Sequence, residues 1–182
     1  MSKQVEKTLK TKRIYKGRIV SLREDTVKLP TGKITKREIV EHKGAVAVVA
    51  LYGKDKIVLI RQYRKPAKAS LFEIPAGLVR KGEKPSQAAL RELEEETGFR
   101  AKIIKKIIEG YSSPGYSTEI IRFFLARNLK KVKQRFEEDE LIDVEIFSIK
   151  SCLGMIRNGK IRDLKTIIGV MIAAQCSRRS PS

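Results

Sequence analysis

Apolar residues in this chain come in short bursts separated by charge. Gly44 introduces Ala45-Val46-Ala47-Val48-Val49-Ala50-Leu51, and after a turn at Lys54-Asp55 a second run follows, Ile57-Val58-Leu59-Ile60. Unbroken runs of this kind predict strands buried on both faces. Residues 12–43 alternate instead, and Val27-Lys28-Leu29 and Ile34 to Val40 flank Pro30-Thr31-Gly32. That pattern predicts a hairpin in a small β appendage. Residues 1–11 are polar and read as a frayed end. Leu71–Ile74 predicts a short strand leading to Pro75-Ala76-Gly77, and further strands are predicted at Ala101–Ile108, Ile120–Ala126 and Val144–Ile149.

Three helices are predicted. Pro85 suits a first helical position and Gly98 a terminating one, so a helix is expected over 85–97 with Ala89, Leu90, Leu93 and Thr97 facing inward. Ser151–Asn158 and Leu164–Gln175 read as two more, with 177–182 a loose tail. Strands interrupted by one mid-chain helix, with helices at the end, predict an α/β fold with a mixed sheet between helical layers.

Composition narrows the class. The chain has 182 residues and 41% hydrophobic residues, enough for one domain with a sizeable core and a small appendage. No apolar run approaches the ~18–20 residues of a membrane span. The start, MSKQVEKTLKTKR, has no apolar segment of a secretory signal, and Cys152 and Cys176 form no CxxC pair, so a cytoplasmic setting is expected. The formal charge of +19 raises a nucleic-acid partner, but the basic residues are scattered and not interleaved with aromatics. A charge-rich surface of the kind seen in heat-adapted proteins is favoured. The run GMIRNGK from Gly154 fits GxxxxGK but continues with Ile161, which lacks the hydroxyl that a phosphate loop places on Mg²⁺. His42 is the sole histidine and reads as a surface or hinge residue, which excludes a multi-histidine metal site.

Candidate chemistry concentrates in one place. Glu92, Glu94, Glu95 and Glu96 crowd the last two turns of the 85–97 helix. Glu92, Glu95 and Glu96 share a face at i, i+3 and i+4, while Glu94 points elsewhere. Like charges at that spacing repel, and the C-terminal turn already carries partial negative charge. A divalent cation relieves both, and clustered carboxylates are ligands for Mg²⁺ or Mn²⁺. A solvated acidic face is the alternative reading of the charge run alone.

The wider spacing decides between them. Gly77, five residues, Glu83, seven residues, then Arg91-Glu92-Leu93-Glu94-Glu95-Glu96-Thr97-Gly98-Phe99 resembles the Nudix box, G-x5-E-x7-R-E-U-x-E-E-x-G-U with U apolar. The resemblance implies a Nudix α/β/α sandwich over 44–176, preceded by an N-terminal β segment, 1–43. It implies that Glu92, Glu95 and Glu96 hold metal with the Ala76 carbonyl. Glu83 and Arg91 fall to a structural pair, and Gly77 and Gly98 to tight backbone.

Within the family, two stretches resemble the ADP-ribose pyrophosphatase branch. One is SSPGYSTE, with Pro114 and Gly115; the other is the acidic loop Glu137-Glu138-Asp139-Glu140. That likeness implies a catalytic base at Glu140, with Glu138 as second choice; Glu95 stays open because other branches use a glutamate of the box. It also implies that Arg37 and Arg64 hold substrate, since the arginine fork matches phosphate oxygens. The expected reaction is Mg²⁺- or Mn²⁺-dependent hydrolysis of ADP-ribose to AMP and ribose 5-phosphate by a homodimer. Rival readings are a Nudix hydrolase of capped RNA or of another nucleotide, and a silent nucleotide-binding module.

Overall fold

A computed structural model describes residues 4–132 and 141–178. The described chain forms two compact units, one running to Gly44 and including Gly110–Ile121, the other made of Ala45–Glu109 and the segment from Arg122 onward.

The first unit holds a three-stranded antiparallel sheet, β1 (Lys7–Lys16), β2 (Val20–Lys28) and β3 (Ile34–His42), in that order. The hairpin predicted around Pro30-Thr31-Gly32 is present. Gly32 takes a φ of +86° and its N–H donates to Leu29 O at 2.9 Å, a conformation glycine adopts without a Cβ penalty. The frayed start is corrected: β1 begins at Lys7 and pairs along β2. Every residue of β1 is exposed, so no alternation of apolar and polar positions marks it; ladder hydrogen bonds define the strand. Residues 110–121 close this unit through Val40 N–H to Tyr116 O at 2.8 Å and Thr118 N–H to Val40 O at 3.0 Å. His42 is less exposed than a surface residue. It accepts from Gly44 N–H at 3.1 Å and lies 3.3 Å from Glu119.

The second unit is built on β4 (Ala45–Tyr52), β5 (Lys56–Arg64), β6 (Ala69–Glu73), β7 (Ala76–Leu78), β8 (Phe99–Tyr111), β9 (Ile120–Lys131) and β10 (Ile142–Ser148). The order is β10-β5-β4-β9-β8, with β6 on β5 and β7 on β4. Val46 to Ala50 and Ile57 to Ile60 are fully buried, as their unbroken apolar pattern requires. The helices are α1 (Pro85–Thr97), α2 (Ile149–Arg157) and α3 (Leu164–Arg178), the last extending past its predicted end. Among the described residues no helix is long and apolar enough to cross a membrane.

Alternation along β4 places the helices. Val46, Val48 and Ala50 cluster with Ala88, Ala89 and Leu93 of α1. Val49 points to the other face, where it and Ile74 press on Gly169 of α3 so closely that a Cβ there would meet Ile74 Cδ1 at 2.9 Å. Helices therefore cover both faces of the sheet, giving the α/β/α sandwich. In α1 the inward set is Ala88, Ala89, Leu93 and Thr97; Leu90 is only partly buried, and Ala88 takes the core position expected for it.

Candidate active site

The helix that carries the carboxylates is firmly bounded. Pro85 starts α1, and Lys84 N–H donates to the Gln87 side chain at 3.1 Å. Gly98 ends it at φ +66°, with its N–H donating to Glu94 O at 3.0 Å. A non-glycine residue is disfavoured in that left-handed cap. Thr97 Oγ1 donates to Leu93 O, tying the last turn together. Glu94 points off the cluster, where Arg100 grips it with two hydrogen bonds of 2.8 and 2.9 Å.

The other three glutamates turn toward β7. Glu96 is 3% exposed, and its Oε2 accepts from Ala76 N–H at 3.0 Å. Glu92 lies against Gly77, and a Cβ at that position would sit closer to the Glu92 carboxylate than the 3.0 Å that real Cβ atoms respect. Gly77 is thus the floor on which the Glu92 carboxylate rests. Its φ is not left-handed, so the constraint is steric and not conformational. Burial pushes the Glu92 carboxyl above its ordinary range, and the Arg91 charge offsets part of that shift.

Arg91 organises the cluster. Its Nε and Nη2 donate to Glu83 at 2.9 and 3.0 Å, its Nη1 to Glu92 at 2.7 Å and Glu95 at 2.8 Å, and its Nη2 also to Leu78 O at 3.0 Å. Burial opposes the Arg91 charge, but these carboxylates outweigh it and raise the guanidinium pKa. The same fork holds Glu83 below the usual carboxylate range. Arg80 stands 3.6 Å from the far oxygen of Glu95.

The donor set suits a hard divalent cation: three carboxylates on one helical face, beside the backbone of Ala76. Among the described residues no three acidic, histidine or cysteine side chains converge on one point. Arg91 Nη1 bridges Glu92 and Glu95, and Glu96 is turned to the Ala76 amide. Binding an ion would require Glu92 and Glu95 to exchange the guanidinium for the metal.

The remaining candidates are dispersed. Arg37, in the first unit, is bound by Glu6 through contacts of 2.6 and 3.1 Å. Pro114 and Gly115 lie in the 110–121 segment of that unit, in a turn closed by Ser117 N–H to Ser113 O at 2.8 Å. Glu138 and Glu140 lie outside the described residues.

Arg64 leads to a network that no sequence pattern indicated. Its Nε and Nη2 each donate to Glu73 at 2.8 Å. Glu73 is 1% exposed and also accepts from Lys165 Nζ at 2.5 Å, while Lys165 pairs with Asp163 at 3.0 Å. Thr166 Oγ1 accepts from Ile74 N–H at 2.8 Å and donates to Asp163. The start of α3 is thereby stapled to the end of β6 and to Ile74, just ahead of Ala76 and Gly77. Glu73 and Lys165 are 92 positions apart, beyond any local pattern; the isolated acid ahead of Ile74-Pro75 was the sole hint.

Burial works to raise the Glu73 pKa, but Arg64 and Lys165 overcome it and hold the carboxyl low. A depressed folded-state pKa stabilises above the ordinary value near 4.5, and the contribution is lost as pH falls through the folded value. Glu73→Gln should cost about 2–3 kcal/mol at neutral pH. This is discounted from the ~3–5 of a broken buried pair, because Arg64 is partly exposed and Lys165 keeps Asp163. Calorimetry should show a Tm lower by roughly 4–12 °C, with the gap from the parent narrowing in acid. An unchanged Tm would remove the network from the account of stability.

With fold and geometry in place, comparison with known proteins defines the class. Residues 41–167 match the NUDIX domain family, and the chain belongs to it. Residues 6–40 match a second family, the nucleoside diphosphate sugar hydrolase N-terminal domain. The chain is 46% identical to a methanol dehydrogenase activator of Bacillus methanolicus, over 91% of this chain and 90% of that protein. It is 42% identical to an ADP-ribose pyrophosphatase of Bacillus subtilis, again over 91% of this chain and 90% of the relative. A solved structure titled as an ADP compounds hydrolase shares the fold, with a TM-score of 0.85 at 19% identity, covering 96% of this chain and 95% of that one.

Proposed function

We propose that the chain is a Nudix pyrophosphohydrolase that cleaves ADP-ribose to AMP and ribose 5-phosphate. The observation that carries this reading is the face formed by Glu92, Glu95 and Glu96, with Glu92 seated on a glycine that no other residue can replace without displacing it. The ADP-ribose pyrophosphatase name of a relative at 42% identity supports the substrate.

Nudix hydrolases generally use a divalent metal. Glu92, Glu95, Glu96 and the Ala76 carbonyl would hold it, Mg²⁺ being favoured and Mn²⁺ accepted, and the ion offsets diphosphate charge. The rest falls to the chain's own groups. A general base takes a proton from the attacking water; Glu140 is the first choice, Glu138 the second and Glu95 the alternative on α1. Water oxygen bonds to one phosphorus, the bridging oxygen leaves with the other, and two phosphomonoesters result. Arg37 and Arg64 are each proposed as substrate-binding residues, for the diphosphate or the adenine end, by exchanging their carboxylate partners for substrate. Glu73 then keeps Lys165. Pro114 and Gly115 are proposed to shape the substrate side of the 110–121 segment.

A homodimer through the N-terminal sheet fits this reading, because Leu9, Ile14, Tyr15 and Ile34 stand exposed there. Sedimentation at micromolar protein checks it, and a monomer would dismiss it. The two free cysteines suit the reducing cytoplasm.

A substrate panel tests the activity. Purified protein with Mg²⁺ or Mn²⁺ is given ADP-ribose, sugar nucleotides, dinucleotides, NADH and capped RNA. ADP-ribose should be cleaved fastest, with AMP and ribose 5-phosphate in equal amounts. Preferred cleavage of capped RNA would transfer the assignment to nucleic acid, where the +19 charge would bear on binding. Binding without turnover of any member would make the chain a silent nucleotide-binding module.

A further inference from the structure

A cavity lies away from the glutamate face. It has a volume of ≈ 540 Å³ and is lined by Tyr52, Lys54, Arg127, Asn128, Cys176 and Ser177, among others. Tyr52 is five residues along β4 from Ala47, which pairs with Ala76. At the usual strand rise that places the cavity about 16 Å from the backbone supporting the carboxylates. Three elements converge on it: the β4–β5 turn, the outer part of β9 and the last turn of α3. Ser177 Oγ lies 3.2 Å from Lys54 O and ties α3 to that turn.

The lining chemistry is one-sided. Lys54 and Arg127 are cationic, and no carboxylate lines the cavity among the described residues. Four arginines, Arg37, Arg64, Arg91 and Arg100, are taken up by acids. Arg127 differs from these four: among the described residues its Nε is buried and has no hydrogen-bond partner, a condition it shares with Arg23 Nε. A buried guanidinium donor left unmatched calls for an acceptor. The end of α3 brings partial negative charge, which is less than two full cations. Tyr52 adds a flat surface. It meets Phe99 in a T-shaped contact with ring centroids 5.7 Å apart, and the residue remains 41% exposed. The volume lies within the range of small-ligand sites.

We propose that this cavity binds a nucleoside monophosphate, with the phosphate on Arg127 and Lys54 and the base on Tyr52. The assignment is independent of what the glutamate face hydrolyses. A phosphate dianion matches two cations without a competing acid, and a base stacks on an aromatic ring. Asn128 offers a side-chain donor and acceptor to the sugar, and Ser177 Oγ, whose proton is directed to backbone carbonyls, an acceptor.

The test uses the full chain, labelled with ¹⁵N and held in a chelator so that metal-dependent binding at the glutamates is suppressed. AMP, inorganic phosphate and adenosine are titrated separately while amide resonances are followed. AMP should shift Gly53, Asn128, Leu129 and Ser177 saturably. Phosphate alone should shift Gly53 and compete with AMP, and adenosine should bind more weakly than AMP. Arg127→Gln should weaken AMP at these amides about 10-fold or more, the scale of a lost hydrogen bond to a charged group. Arg127→Lys should restore part of the loss, and Lys54→Gln, at an exposed turn, should weaken phosphate without disturbing the spectrum elsewhere. AMP shifts confined to Gly77 and Gly98 would overturn the proposal. So would binding at the cavity that Arg127→Gln and Lys54→Gln leave unchanged, or no binding there at all.

Discussion

Glu96→Gln is expected to lower turnover by about 10²-fold or more while leaving the fold intact. The loss corresponds to about 2.7 kcal/mol or more of transition-state stabilisation. Glu96 is the most buried of the three carboxylates and is fixed by the Ala76 amide, so it has little freedom to be replaced by a neighbour. Glutamine keeps an oxygen that can accept from Ala76 N–H. It removes one charge from a cluster in which Glu92 lies four residues earlier, a relief of a few tenths of a kcal/mol. The Tm in chelator should therefore stay level or rise slightly. Mn²⁺ affinity, followed by calorimetry, should fall in step with turnover. Full activity would end the proposed metal role. A large fall in Tm with unchanged Mn²⁺ affinity would make Glu96 a structural residue.

Gly77→Ala should separate activity from stability in a different way. The added methyl collides with the carboxylate of Glu92, which is the far end of a flexible side chain. The collision is relieved by swinging Glu92 away, at the expense of its 2.7 Å contact with Arg91. Overpacking of this kind costs about 1–2 kcal/mol when a side chain can yield. Turnover should nonetheless fall about 10²-fold, because a displaced carboxylate no longer shares the face of Glu95 and Glu96. Steady-state rates and a denaturation curve on the same preparation measure both. Gly98→Ala offers a contrast: its φ of +66° strains the alanine directly, so stability should carry most of that effect. Equal activity of Gly77→Ala and the parent would mean that Glu92 is not needed where it lies.

Much of the site was legible because it is local. Glu92, Glu95 and Glu96 sit within two turns of one helix, and helical geometry alone puts them on one face. The i+4 bridge from Arg91 to Glu95 follows from the same spacing and is present at 2.8 Å. The divergence of Glu94 was equally local, and Arg100 takes it. The strands β4 and β5 were legible because burial on both faces demands unbroken apolar sequence. Where that demand is absent the pattern fails. β1 is exposed throughout and carries no periodic signal, and β7 is three residues long, too short to show one.

The sequence by itself determined which residues could share a helical face, where the helix starts and stops, and which strands lie in the core. Each of these follows from bond geometry and hydrophobicity acting over a few residues. Only the tertiary structure decided what that face rests on. The Ala76 amide under Glu96 is 20 positions away, the Glu73–Lys165 pair spans 92, and the cavity at Arg127 is assembled from three separated segments. Such contacts exist because the sheet and its two helical layers bring distant backbone within hydrogen-bond reach, and their energies depend on burial that no short window of sequence specifies.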